Sequence, residues 1–316
     1  MSRVPSPVFP RLLGVLQLTR MALVFTAIAD VQAALLLSRQ WSPRVAVLAA
    51  GMSAGLYGFG MALNDIIDQR RDSAIAPGRP LPSGRLGPVA AHLIAAGLLA
   101  LAMYAAWRVD QLLGHDLRTL AAAGVCAMFI AFYDVAGKYL VAVGLVTLGL
   151  VRFTHAASVA PTLPVPGHAL VLLNFTTVLS TLGYALEDKR PTLRLSHVLF
   201  VAALLSVVNV AVLYRHPMLL QSPALALVVG AILLFGLTAG LLAAQTKGRR
   251  ELGKRVMLLG LLWLIVIDAA AVAGSVGWRE GLLILALLPI AQAAVWLMQA
   301  WSRVVALSQK PDYIHE

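Results

Sequence analysis

The chain has 316 residues, of which 60% are hydrophobic and 12% charged, with a mean hydropathy of +0.84; these values exclude a soluble domain. A net charge of +11 could serve nucleic acid, but no basic soluble module with interleaved aromatics is present, and basic loops on one side of a membrane account for the charge. Cys126 is the single cysteine, which excludes an intramolecular disulfide and a cysteine-rich metal site.

Windows of about 20 apolar residues, the length that crosses the hydrocarbon, predict ten spans. They lie at 13–37, 44–64, 87–107, 117–135, 140–161, 168–187, 196–214, 221–245, 256–276 and 281–302. The expected fold class is an all-α polytopic transmembrane helical bundle of nine to ten spans. No repeat, low-complexity tract or linker divides it, so residues 1–316 read as one domain. The first apolar run is too long for a signal peptide and lacks a small-residue cleavage site, so it is expected to stay as a span. With a cytoplasmic N-terminus, 17 of the 25 basic residues fall in inside segments, six lie outside and two, Arg20 and Arg152, lie within spans. That bias predicts that both termini and the loop after the second span are cytoplasmic, in a bacterial inner membrane. It says nothing of oligomeric state.

In the first span Arg20 and Asp30 are ionisable groups in apolar sequence, as are Arg152 and His155 in the fifth and Asp268 in the ninth. An Arg or Asp at the hydrocarbon centre costs roughly 2.5–3.5 kcal/mol on insertion scales, so these groups are expected to face the bundle interior or water. Arg152 lies deepest, with Asp30 or Asp268 as its expected counter-ion, and a purely structural buried pair is the plain alternative. His155 is expected to be a hydrogen-bonded packing residue rather than a base.

The second span ends in Asn64-Asp65-Ile66-Ile67-Asp68-Gln69-Arg70-Arg71-Asp72. On a helix Asp65, Asp68 and Asp72, at i, i+3 and i+7, project from one face and can hold a divalent cation. A merely solvated cap is less favoured, because acids at a helix C-terminus oppose its dipole and call for a cation. The following loop adds Arg79 and Arg85, so metal and guanidinium converge as they do where a diphosphate binds.

The pattern Asn64-Asp65-x-x-Asp68-x-x-x-Asp72, followed by Arg79-Pro80-Leu81-Pro82-Ser83-Gly84-Arg85-Leu86, resembles the first aspartate-rich motif and downstream loop of the UbiA superfamily of intramembrane prenyltransferases. The resemblance implies Mg2+-dependent transfer of a prenyl group from an isoprenoid diphosphate to a lipophilic acceptor at the cytoplasmic face. It assigns the metal to Asp65, Asp68 and Asp72, with Asn64 beside them at the diphosphate. Tyr133 and Lys138, in Phe132-Tyr133-Asp134-Val135-Ala136-Gly137-Lys138, resemble the family's Tyr and Lys pair at a wider spacing. With the three aspartates they form the expected catalytic set, and Lys138 joins Arg79 and Arg85 on the diphosphate. A positive-inside anchor is the plain reading of Lys138.

The family's second motif, Asp-x-x-x-Asp, meets Leu182-Gly183-Tyr184-Ala185-Leu186-Glu187-Asp188-Lys189-Arg190-Pro191 here, and Gly183 or Tyr184 stands in the first acidic position. Glu187 and Asp188 are the expected remaining metal ligands, and Lys189 and Arg190 are either diphosphate ligands or topological anchors. Phe25-Thr26-Ala27-Ile28-Ala29-Asp30, Tyr133-Asp134 with Lys138, and Gly149-Leu150-Val151-Arg152 also resemble the EboC-like branch. A CDP-alcohol phosphatidyltransferase would need an Asp-Gly near an Ala-Arg ahead of spaced aspartates, and that arrangement is absent. The rival reading is a binding or transport component that keeps the donor site without turnover.

Overall fold

The computed structural model describes residues 8–161, 167–188 and 191–308. In chain order the helices are α1 (Val8–Leu18), α2 (Val24–Leu37), α3 (Pro43–Ile67), α4 (Gln69–Ile75), α5 (Pro88–Leu113), α6 (Arg118–Val135) and α7 (Val141–Ala157). They continue as α8 (Gly167–Leu186), α9 (Leu195–Arg215), α10 (Pro223–Gln245), α11 (Arg249–Ser275), α12 (Trp278–Leu285) and α13 (Leu287–Ser308). The described residues contain no strand.

Each of the ten predicted spans is helical. Among the described residues eight helices are long and apolar enough to cross a membrane, counting Trp278–Val304 across α12 and α13 as one. The first predicted span is bent, Arg11–Leu18 and Met21–Leu37 meeting at 52°. The fifth, α7, has 17 residues, because a 3-10 turn at Gly137–Tyr139 takes up the chain before it and the helix ends at Ala157. Local sequence explains the boundaries. Ser42 caps α3, its Oγ accepting from Val45 N at 3.4 Å ahead of Pro43, and Gly114 closes α5 in the left-handed conformation.

In lipid, helices associate through close backbone approach more than through hydrophobic exclusion. The tight α3 and α5 contact shows this at Gly55, where a Cβ would lie 2.6 Å from the Leu98 carbonyl oxygen. Gly149 does the same for α7 and α8, since a Cβ there would lie 2.8 Å from the Leu173 carbonyl. Val31, Val45, Met52, Leu56, Val109 and Ile130 fill the centre between α2, α3, α5 and α6. A second core lies between α8, α10 and α11, around Leu172, Phe175, Phe235 and Leu264.

The bundle has two distinct ends. At one, the C-terminus of α3 meets the end of α6, and α8 meets the start of α11. At the other, Trp41, Trp107 and Trp278 are exposed, and the guanidiniums of Arg108 and Arg279 lie 5.7 and 5.5 Å from the rings of Trp107 and Trp278. Tryptophan with arginine at helix ends is the pattern of a membrane interface.

Candidate functional site

The aspartate-rich segment is not one continuous helix. α3 stops at Ile67 and α4 begins at Gln69, with Asp68 at the junction (φ −82°, ψ 0°). The break sorts the three acids into two groups. Asp65 Oδ1 lies 3.4 Å from Arg79 Nη1 and 3.5 Å from Arg20 Nη2, and Asp72 accepts a close hydrogen bond from the same Arg79 nitrogen. Asp68 instead takes Lys138 Nζ at 2.7 Å and Arg71 Nη2 at 2.8 Å. All three acids are buried. The expectation of a single acidic face is therefore corrected: Asp65 and Asp72 share one guanidinium, and Asp68 turns toward the 3-10 turn that carries Lys138.

A cavity of about 450 Å³ opens beside the first group, lined among others by Gln17, Arg20, Asp65, Gly78 and Arg79. Arg20 is not deep in a span, as its place in the first apolar run suggested. It sits at the bend between α1 and α2 in the left-handed conformation (φ 46°), which is costly for a residue with a Cβ and turns the arginine to the acidic cluster. Arg85 differs from its expected role. It donates to Gln17 Oε1 at 2.8 Å and to the Gly78 carbonyl at 2.5 Å, bracing the loop against α1, and burial pulls its guanidinium below its usual pKa.

Asn64 donates to Asp134 Oδ1 at 2.8 Å, which ties α3 to the end of α6. Asp134 is a residue that sequence reasoning named within its motif but gave no role in the site. It is 3% exposed, and Asn64 is its one side-chain hydrogen-bond partner among the described residues. The signal was available in its position, directly beside Tyr133 and four residues before Lys138. Tyr133 is half-buried, within electrostatic reach of Asp68 and Asp134.

The second acidic pair follows the end of α8. Glu187 packs on α11, where a Cβ at Gly253 would lie 2.8 Å from its Cγ, and Asp188 is exposed at a positive φ of 50°. Gly183 faces α11 rather than the cavity, because a Cβ there would meet Met257 Sδ at 2.2 Å. Tyr184 is engaged elsewhere, its hydroxyl donating to the Pro191 carbonyl at 2.5 Å. Lys189 and Arg190 lie outside the described residues.

Among the described residues no three His, Cys, Asp or Glu side chains gather closely enough to cage a metal ion by themselves. That does not disqualify magnesium, which takes one or two carboxylates and completes its shell with water and substrate phosphate oxygens. The donor set fits. Asp65 and Asp72 offer hard oxygens on either side of one positive group, and Asp72 Oδ1 is buried without a partner.

Of the intramembrane ionisable residues, Arg152 pairs with Asp30, Nη1 to Oδ2 at 2.5 Å, so the choice between Asp30 and Asp268 is resolved. His155 is hydrogen-bonded to Ser53 Oγ at 2.9 Å, in keeping with its expected packing role. Asp268 pairs with His168 at 2.6 Å, a partner the sequence did not single out.

The model of the UbiA prenyltransferase family matches residues 22–194, more than half of the chain. No curated protein matches the sequence. Among solved structures, one reported for digeranylgeranylglyceryl phosphate synthase in membranes superposes with a TM-score of 0.60 at 19% identity, covering 84% of this chain and 99% of that one. The apo structure of a UbiA homolog from Aeropyrum pernix K1 gives 0.54 at 20% identity, covering 79% and 96%. At these identities the likeness is one of fold.

Proposed function

The chain belongs to the UbiA prenyltransferase family, and from that premise we propose that it transfers a prenyl group from an isoprenoid diphosphate to a lipophilic acceptor at the cytoplasmic end of the bundle, with Mg2+ as cofactor. One observation carries this reading: two buried carboxylates, Asp65 and Asp72, share the Arg79 guanidinium at the wall of the cavity.

Asp65 and Asp72 would hold the metal, with Asp68 presented from the helix junction. When bound, magnesium neutralises charge on the diphosphate as the allylic carbon–oxygen bond breaks. The chain's own residues bind and orient. Arg79 and Arg20 face the cavity and supply guanidiniums for phosphate oxygens, which they take in paired geometry. Lys138 is held by Asp68 beside them as a point charge. Arg85 keeps the loop closed over α1.

The test is binding of geranyl, farnesyl and geranylgeranyl diphosphates to the purified protein with and without Mg2+, followed by mass spectrometry for released diphosphate. Mg2+-dependent binding with release when a lipophilic acceptor is added is the expected result, and absence of binding overturns the proposal. A second reading, donor binding without turnover, is favoured by one observation: neither Gly183, packed on Met257, nor Tyr184, bonded to Pro191, supplies an acid to the cavity. Binding without release over a panel of acceptors would select it.

A further inference from the structure

Two rungs one helical turn apart join the end of α3 to the end of α6. In the first, Asn64 Nδ2 donates to Asp134 Oδ1 at 2.8 Å; in the second, Lys138 Nζ donates to Asp68 Oδ1 at 2.7 Å. The spacing is i, i+4 on both sides, and the rungs run in opposite directions, the α3 side donating in one and accepting in the other. The second rung neutralises itself. The first does not: Asp134 is 3% exposed, makes no salt bridge among the described residues, and gives up its hydration for one neutral amide. A carboxylate buried without a cation is expensive, so a tie between helices could be made more cheaply by two neutral groups. Asn174 and Asn209 make such a tie between α8 and α9, bonded to each other in both directions.

A carboxylate in this place does something a neutral partner cannot. It only accepts, so it holds the nitrogen of the Asn64 amide and never its oxygen. The oxygen is thereby the atom that Asn64, which is half-buried, leaves open, and it accepts no hydrogen bond among the described residues. Asp134 is also within electrostatic reach of Asp68, Lys138 and Arg20, the last of which lines the cavity, so the rung adjoins the donor site. An open carbonyl oxygen repels phosphate oxygens and attracts a hydrated cation.

From this arrangement we propose that Asp134 is a positioning residue of the donor site. It acts through Asn64, keeping the amide oxygen outward so that Asn64 serves the hydrated Mg2+ that accompanies the donor and not the diphosphate itself. This role rests on the function proposed above and departs from the diphosphate role that the resemblance gave to Asn64.

The experiment pairs thermal unfolding of the purified full chain in detergent at pH 8 with titration of farnesyl diphosphate, with and without Mg2+. Asp134→Asn keeps the shape but lets the facing amides pair either way round. It should fold and lose about tenfold or more in Mg2+-dependent affinity, the usual cost of removing an orienting partner. Asn64→Asp alone sets one carboxylate against another and should melt below the wild type. Asn64→Asp combined with Asp134→Asn reverses the rung, because the amide on α6 then donates to an acid on α3. An oxygen stays open on α3, so the double variant should recover both melting temperature and Mg2+-dependent affinity. If Asp134→Asn does not fold, the double variant carries the test by itself. Wild-type affinity in folded Asp134→Asn would reduce the rung to a helix tie and overturn the proposal. So would a double variant that recovers its melting temperature without its affinity, since the donor would then need the Asn64 N–H. A wild type that binds no donor in Mg2+ overturns the proposed function and this role with it; the two variant outcomes overturn this role alone.

Discussion

At the loop end of the bundle, Asp65, Asp68 and Asp72 are paired with Arg20, Arg71 and Arg79, whose side chains keep 43%, 57% and 35% of their surface exposed; in the interior, Asp30 is paired with Arg152, which keeps 11%. Both regions are acid–base clusters on similar helices, yet the three arginines at the loop end differ from Arg152 in freedom; Lys138, on Asp68, is the exception and keeps only 10%. Solvated arginines can exchange one anionic partner for another at little cost, whereas an arginine enclosed by helices cannot leave its aspartate without exposing a bare charge to hydrocarbon. The first arrangement suits a substrate that comes and goes. The second suits a fixed scaffold.

The comparison can be broken most directly at Arg152. Arg152→Met leaves Asp30 buried without its cation, and breaking a buried pair in this way costs about 3–5 kcal/mol. A large fall in melting temperature, with little folded protein recovered, is expected; a near-native melt would show that the interior pair is as exchangeable as those at the loop. At the loop end the effect should appear in binding. Asp68→Asn keeps bulk but leaves Lys138, 10% exposed, without its carboxylate, so melting should fall as well, while Mg2+-dependent donor affinity, measured by titration on the folded protein, falls about 100-fold, or about 2.7 kcal/mol. Unchanged donor affinity would remove Asp68 from the site.

A third test concerns the second motif. Restoring an acid by Gly183→Asp should not raise activity. The new side chain meets Met257 on α11, and overpacking of this kind costs about 1–3 kcal/mol, so a lower melting temperature with no gain in turnover is expected. A gain in turnover would mean that α8 turns this position to the cavity.

The smallest effect is at the tryptophan-lined end, where His115 binds Thr119 and Gln40 between helices. Burial lowers its pKa, so the folded state prefers the neutral ring. The unfolded chain binds a proton as pH falls through about 6.5, hence this stability is present above that pH and is lost as pH drops below it. Melting should fall between pH 7 and pH 5, and His115→Gln should flatten part of that slope; an unchanged slope would exclude His115 as its source.

Much of the fold was legible because span length and apolarity are dictated by the bilayer rather than by packing. All ten segments are helical; the bend in the first escaped because its 3-10 turn, Met21-Ala22-Leu23, is as apolar as a helix, and α7 falls short of its predicted span because the helix stops at Ala157. The acids were legible as site residues, but their pairing was not. Helical periodicity places Asp68 with Asp65 and Asp72, and the break at Asp68 is a tertiary effect that no local signal announces. His168 was passed over because it is defined by a neighbour distant in sequence, Asp268, whereas Asp134 stood in a local motif beside Tyr133 and was given no role there.

Gln17 links the two ends of the chain through one amide. Its oxygen accepts from Arg85, and its nitrogen donates to Ser302 of α13 at 2.8 Å. The last helix is thereby latched to the loop that lines the cavity beside Asp65. A displacement of α13 at Ser302 would thus reach that loop through a single side chain, without touching an aspartate.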